Sequence, residues 1–319
     1  MKSFRILMVA VLCMVTMAAS ALAADYPTKP ITIMTAFNPG GGSDVSHRLL
    51  EKYARGIFDE PLVITYKPGA GGEIGWTTLA LSKPDGYTVG GVDLPHIVLQ
   101  PMLRRKGQPG YKTEDLLPLC GLVYDANVAM VRADSQWKTL ADLVAYAKAN
   151  PGKVRVASVG KFSGDHLFLM QIEKATGAKF AQVPYAGSGK AIPALVTGEV
   201  DAYFGSGSSF LRMENTRGLA VATEERYELC PDVPTFKEQG YNIISMKFRG
   251  LAVPRKVPAN VLNYLESHFA TVCGNREYMD AVKNSGLMPA FSTGKEFADI
   301  IAREKSQAEQ LLKEFNIIN

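Results

Sequence analysis

Two glycine-rich turns offer the chemistry in this chain: Phe37-Asn38-Pro39-Gly40-Gly41-Gly42-Ser43-Asp44 and Lys67-Pro68-Gly69-Ala70-Gly71-Gly72. Each follows a run rich in β-branched and aromatic residues and empties into a helical pattern. Glycine lets the backbone take positive φ and lets a ligand approach peptide N–H groups with no Cβ in the way. Those N–H groups, together with the positive end of the following helix, suit an anion. In open α/β sheets the ligand crevice also lies at the carboxyl ends of the strands. One such turn is often only a helix cap, with Ser43 or Asp44 as the N-cap; two of them favour a binding role. Neither turn keeps the G-x-G-x-x-G spacing, since after Gly69 and Gly71 the third motif position is Ile74 and the glycine is displaced to Gly75, and no G-x-x-x-x-G-K-[ST] occurs. Dinucleotide binding and nucleotide hydrolysis are therefore disfavoured.

Three later turns have the same character: Ser158 to His166, Pro184 to Gly189, and Phe204 to Ser208. Glycines and small hydroxyl residues there complete a polar cleft facing the first two turns. Ser163 reads equally well as a plain N-cap, and His166 as a structural hydrogen bonder.

The elements that must position these turns alternate. Strands are expected at Pro30 to Phe37, Leu62 to Tyr66 and Tyr87 to Val92, with helices from Asp44 to Phe58 and Gly72 to Ser82. A second series follows, with Val128 to Val131 extended, Leu140 to Ala149 helical and Val154 to Ser158 a strand. It continues with a helix from Gly164 to Ala175, a strand at Ala181 to Val183, a helix from Ala191 to Thr197 and a strand from Val200 to Phe204. Cys230-Pro231-Asp232-Val233-Pro234 forms a rigid turn, Tyr241 to Val253 is extended, and helices fill the chain from Pro258 onward. Strands alternating with helices indicate parallel sheets with crossover helices. Two series imply an α/β fold of two lobes: residues 24–124 with 245–319, and residues 125–244. Two extended crossings between them would act as a hinge.

Compositional features bound the setting. Lys2 and Arg5 precede an apolar run from Ile6 to Ala19 and then Ala21-Leu22-Ala23, the pattern of a cleavable secretory leader over residues 1–23, cut after Ala23 or Ala24. The apolar run is short for a membrane span of about 20 residues. Losing Lys2 and Arg5, with no acid in the leader, lowers the formal charge from +4 to +2, so no nucleic-acid or anionic-membrane partner is implied. Of the four cysteines, Cys120, Cys230 and Cys273 lie beyond the leader, with no CxxC or Cys-His spacing. They are read as buried apolar packing rather than metal ligands, although an oxidising compartment would allow one disulfide.

The sequence resembles the substrate-binding receptors of tripartite tricarboxylate transporters, the family that includes the Bordetella uptake gene products. The match runs from Tyr26-Pro27-x-Lys29-Pro30-Ile31 through the triple-glycine turn, Lys67-Pro68-Gly69-Ala70-Gly71-Gly72-x-Ile74-Gly75 and Pro84-Asp85-Gly86-Tyr87-Thr88. It resumes at Ala147-x-Ala149-Asn150-Pro151-Gly152-Lys153, Val183-Pro184-Tyr185-x-Gly187-Ser188, Leu195-x-x-Gly198-x-Val200-Asp201 and Pro231-Asp232-Val233-Pro234-Thr235. The resemblance implies a two-lobed periplasmic-binding-protein fold of type II-like character, monomeric, without a cofactor. In it a small organic carboxylate is held by backbone amides and ordered waters between the lobes and delivered to one large and one small membrane subunit. Carried over by position, Phe37, Gly41, Ser43, Ala70, Gly71, Gly72 and His96 would line one side, and Gly160, Ser163, His166, Tyr185, Gly187, Ser188 and Ser206 the other.

Three departures bear on specificity. Phe204-Gly205-Ser206 stands where relatives commonly have Phe-Asp-Asn, which shrinks that wall and removes an acid. Glu73 either compensates a helix dipole or repels a second carboxylate. Lys161 either pairs with a ligand acid or points to solvent. Citrate-like, dicarboxylate, amino-acid and aromatic ligands all remain open. So do two other readings of the chain, an exported hydrolase and a sensor for a two-component kinase. The hydrolase lacks a G-x-S-x-G elbow, and the four histidines are scattered.

Overall fold

The computed structural model describes residues 26–318, and the expected leader lies outside them. The first lobe is built on β1 (Ile31–Thr35), β2 (Leu62–Tyr66) and β3 (Thr88–Leu94), with crossover helices α1 (Gly42–Ala54) and α2 (Glu73–Ala80). β1 pairs in parallel with both β2 and β3. Alternation along β1 sends Ile31 and Ile33 into a layer with Leu50, Val89 and Phe269, while Met34 faces a layer with Trp76, Leu79 and Val98. With both faces covered, the strands are largely apolar, as a parallel sheet requires.

A short helix, α3 (His96–Leu103), leads into β4 (Leu116–Arg132), a single strand of 17 residues. Only its last part, Val128 to Val131, was expected to be extended. Pro118, Gly121 and Asp125 interrupt its apolar pattern, and register shifts against its neighbour at Pro118/Cys120 and Gly121/Val123 let so long a strand bend between the lobes. The missed α3 has Pro101 inside it and is too short to show a periodic face.

The second lobe comprises α4 (Leu140–Ala149), β5 (Arg155–Ser158), α5 (Gly164–Thr176), β6 (Ala181–Pro184), α6 (Ser188–Val196), β7 (Ala202–Ser206), α7 (Gly207–Leu211) and β8 (Thr216–Val221). β5 pairs in parallel with β6 and β7, and the far half of β4 pairs antiparallel with β7 and β8. Ala129 and Val131 pack with Phe168 and Phe204 on one face, and Val128 and Met130 pack with Ile192 and Tyr203 on the other. The chain returns along β9 (Met246–Pro254), antiparallel to both β3 and β4. The strand order is therefore β2-β1-β3-β9-β4-β7-β5-β6, with β8 and β10 attached to β4. β4 and β9 join the two lobes.

The C-terminal region holds α8 (Ala259–Gly274), α9 (Arg276–Asn284), β10 (Met288–Thr293) and α10 (Gly294–Glu314). β10 corrects the purely helical expectation: it is an edge strand against β4, and Pro289 within it masks the strand pattern. Cys120, Cys230 and Cys273 are buried and unpaired, and burial pushes the thiol pKa of each upward.

Candidate functional site

The glycine turns converge at the seam between the lobes. Gly40 donates its N–H to Asp44 Oδ2 at 2.7 Å, and Asp44 also accepts from Arg48 and Tyr66, which pins the first turn at the start of α1. The N-cap of α1 is Gly41, and no side chain caps this helix. From the second lobe, α6 begins after Gly187, again without a side-chain cap. The first N–H groups of a helix have no partner within it, so two sets of free donors approach one place from opposite lobes. The turns nearly touch: a Cβ at Gly41 would lie 2.7 Å from Ser188 Oγ, and one at Gly189 would lie 2.0 Å from the Pro39 carbonyl oxygen. Asn38 N donates to Ala186 O at 3.3 Å across the seam. The lobes are closed on each other.

The second turn meets the opposite lobe in the same way. Ala70, Gly71 and Gly72 all have positive φ (48°, 65° and 101°), as does Gly160 (123°), and a Cβ at Gly160 would be 3.0 Å from Gly71 Cα. Gln100 Nε2 donates to Phe162 O at 3.2 Å and to Gly71 O at 3.4 Å, tying the two turns together. Replacing Gly71 by Val forces a β-branched residue into left-handed backbone and puts its Cβ 3.2 Å from Lys161 O of the other lobe. The variant is expected to fold with a melting temperature a few degrees lower and to bind its ligand at least tenfold more weakly, because closure is blocked. Calorimetric titration of the two proteins checks this, and equal affinities would remove the seam from the binding step.

Behind the seam lies a cavity of about 20 Å³, lined by Phe37, Gly41, Gly42, Ser43, Asp93, His96, Val159, Ser188, Ser206, Lys247 and Arg249. That is room for about one water molecule. Its walls carry buried charge. Arg249, 3 % exposed, reaches Asp93 Oδ1 from Nε at 3.0 Å and Asp125 Oδ2 from Nη1 at 3.1 Å, and Nη2 donates to Ser206 Oγ at 3.1 Å. Lys247, 2 % exposed, sits 2.5 Å from Asp165 Oδ1 and donates to Ser206 Oγ at 3.0 Å. Ser43 Oγ donates to Asp93 Oδ1 at 2.6 Å, and Ser208 donates to Asp125 from both N and Oγ. Burial works hardest against the Arg249 guanidinium, yet Asp125 and Asp93 outweigh it and hold its pKa above the ordinary value. Burial, then Lys247 and Arg249, keep the His96 pKa well below the usual range, so its ring is neutral.

Of the residues expected at the site, Phe37, Gly41, Ser43, His96, Ser188 and Ser206 line this cavity. Gly71, Gly160 and Gly187 form the closed seam rather than the lining, while Ala70 is exposed and a Cβ at Gly72 would meet Trp76 of its own lobe. A Cβ at Gly187 would lie 3.1 Å from Asn38 N. Ser163 is fully buried as the N-cap of α5, donating to Gly160 O and accepting from His166 N. His166 Nδ1 accepts from Phe162 N at 3.2 Å, which shapes that turn. The Tyr185 hydroxyl donates to Glu199 Oε1 at 2.7 Å, outside the cavity lining. Lys161 is exposed, with its Nζ 4.9 Å from the centre of the Phe162 ring. Glu73 pairs with Arg104.

The reading of the sequence missed Asp93, Asp125, Asp165, Lys247 and Arg249. A signal was there: Lys247 and Arg249 alternate with Met246, Phe248 and Gly250 in a run otherwise suited to a core strand, and charged residues are almost never fully buried unless paired. Asp93 stands directly opposite Arg249 in the β3–β9 register.

Two α/β lobes joined by paired strands, closed over a polar cavity between them, define a solute-binding receptor. Residues 47–317 match the model of the tripartite tricarboxylate transporter family receptor, and the chain belongs to that family. The family is one of periplasmic solute-binding proteins, not enzymes. Protein BugT of Bordetella pertussis is 30% identical over 297 residues, which span 90% of this chain and 89% of BugT. Among solved structures, one described as a periplasmic transporter superposes with a TM-score of 0.87 at 30% identity, covering 92% of this chain and 99% of that one. MatC of Rhodopseudomonas palustris, solved with bound malate, shares the fold with a TM-score of 0.83 at 23% identity, covering 90% of this chain and all of that one.

Proposed function

We propose that this receptor captures a small organic carboxylate in the cleft between its lobes and hands it to the large and small membrane subunits of a tripartite tricarboxylate-type transporter. The observation that carries this reading is the meeting of two uncapped helix N-termini, those of α1 and α6, with Ser43, Ser188 and Ser206 around one cavity at the seam. Desolvating a carboxylate is costly unless donors replace its water. Hydrogen bonds to a charged group contribute about 1.5–3 kcal/mol each, so several converging N–H and O–H groups suffice. The malate bound by MatC fits the same chemistry.

In this reading the leader over residues 1–23 is cleaved after Ala23 or Ala24 and the exported protein acts as a monomer. Residues 24–124 with 245–319 and residues 125–244 move as the two lobes about β4 and β9.

Mass spectrometry of the acid that copurifies, followed by thermal-shift titration with it, tests the proposal. The expected result is one organic acid, recovered unchanged after denaturation, that raises the melting temperature with concentration. Recovery of a reaction product, or no stabilisation by any organic acid, overturns it.

A further inference from the structure

We infer that Gln100 is a latch between the lobes, a positioning residue that sets how long a bound acid stays rather than how fast it arrives. This rests on the receptor reading above and adds to it the residue that times release.

Gln100 stands in α3, the helix that opens with His96 at the cavity, and it is 7 % exposed. Its Nε2 meets main-chain carbonyls of both lobes: Gly71 O at 3.4 Å in its own, Phe162 O at 3.2 Å and Lys161 O at 3.5 Å in the other. An amide nitrogen has two donors, so three acceptors share them. Both partners are shaped to receive it. A Cβ at Gly71 would lie 2.4 Å from Nε2, so the glycine leaves the notch that the amide fills. Phe162 holds positive φ (60°), rare for a bulky residue; its N–H is bound by His166 Nδ1 and its carbonyl by Gln100. Such a conformation persists only where the surroundings over-determine it. Four residues on, and so on the same face of the helix, Arg104 pairs with Glu73 and donates to Tyr111 O. α3 is thereby fastened to the second glycine turn at two points, and the Gln100 amide moves with that lobe.

Other contacts cross between the lobes, but they do a different job. Lys174–Glu314 and Lys283–Glu228 are exposed ion pairs, which contribute little. Lys247 and Arg249 reach Ser206 from β9, one of the two strands that join the lobes. Gln100 instead closes the second glycine turn, and its bonds to Phe162 and Lys161 exist only while the lobes are shut. On opening, water takes over both the amide and the carbonyls. Removing the donor therefore leaves the open form unchanged and makes the shut form pay for carbonyls that have lost a partner. Affinity falls with the fraction of protein that can shut. Because an acid enters while the lobes are apart, the loss falls on release and not on arrival.

Stopped-flow tryptophan fluorescence reads the two rates separately, using whichever of malate, adipate, citrate and benzoate the parent binds most tightly. In Gln100→Met, which keeps the length of the side chain and removes the donor, dissociation should be about tenfold faster. Association should stay within about twofold, and the melting temperature without acid within about 2 °C, which separates a latch from a residue that merely supports the fold. Gly71→Ala, whose methyl displaces the amide from its notch, should release the acid as fast. Combining the two should add less than about twofold, since both remove one interaction. Dissociation at the parent's rate in Gln100→Met, a loss carried by slower association, or additive effects in the double variant overturns the latch and leaves the receptor standing. The Gly71→Ala rates decide the matter even if Gln100→Met does not fold. A parent that binds none of the four, nor the acid recovered by mass spectrometry, removes the receptor reading and the latch with it.

Discussion

Replacing Arg249 by Met lowers the stability of the folded protein by about 3–5 kcal/mol, because it removes one partner of a buried ion-pair network and leaves Asp93 and Asp125 uncompensated. Both carboxylates are nearly or fully buried and depend on the guanidinium. At roughly 2–4 °C per kcal/mol for a chain of this order of size, the melting temperature should fall by at least about 6 °C in a calorimetric scan. The energetic asymmetry allows a sharper check. Most of the loss is the penalty of the stranded carboxylates, not the worth of the pair. Adding Asp93→Asn and Asp125→Asn to the Met variant should therefore recover more than half of the deficit, a coupling that independent sites do not show. A Met variant within 1 kcal/mol of the parent would mean that this cluster is not held together by charge.

Acidification should weaken the fold through His47. Its ring is buried under α1, its Nδ1 is 2.8 Å from Thr35 Oγ1, and its Cε1 would lie 2.0 Å from a Cβ at Gly91. Burial, and to a smaller degree Arg249, lower its pKa from 6.5 to about 4, against the opposing pull of Asp93 and Asp44. The unfolded chain binds a proton near pH 6.5 and the folded one only near pH 4. Stability from this group is thus fully present above pH 6.5 and lost as pH falls toward 4. Between pH 7 and pH 5 the loss amounts to about 2 kcal/mol. Urea unfolding at the two pH values should show that His47→Gln, which keeps a polar group near Thr35, loses about this much of the parent's pH dependence. In a proton NMR titration the His47 ring should stay neutral down to about pH 5; a midpoint near 6.5 would sink the prediction.

Much of the architecture is legible along the chain, and the reason is local. β2 and α4 fall where their residues put them, because alternation of β-branched side chains and a capping box at Thr139 and Asp142 are short-range signals. The positive φ values at Gly71, Gly72 and Gly160 are likewise a property that glycine carries wherever it sits. What was not legible is where long-range pairing overrides local pattern. β10 exists because β4 offers it an edge, and β4 runs through both lobes because β9 lies beside it along most of its length.

The candidate site divides along the same line. Residue types and spacing alone determined that glycine and serine turns stand at the carboxyl ends of strands, each leading into a helix with donors to spare. Only the tertiary structure decided which of those turns line a cavity and which merely seal the seam. Tertiary structure also brought Asp93, Asp125 and Asp165, scattered through the chain, onto Lys247 and Arg249 of one returning strand. A turn's conformation is fixed by the few residues within it. A buried charge is tolerable only when a partner distant in sequence is delivered by strand register, and no local pattern encodes that delivery.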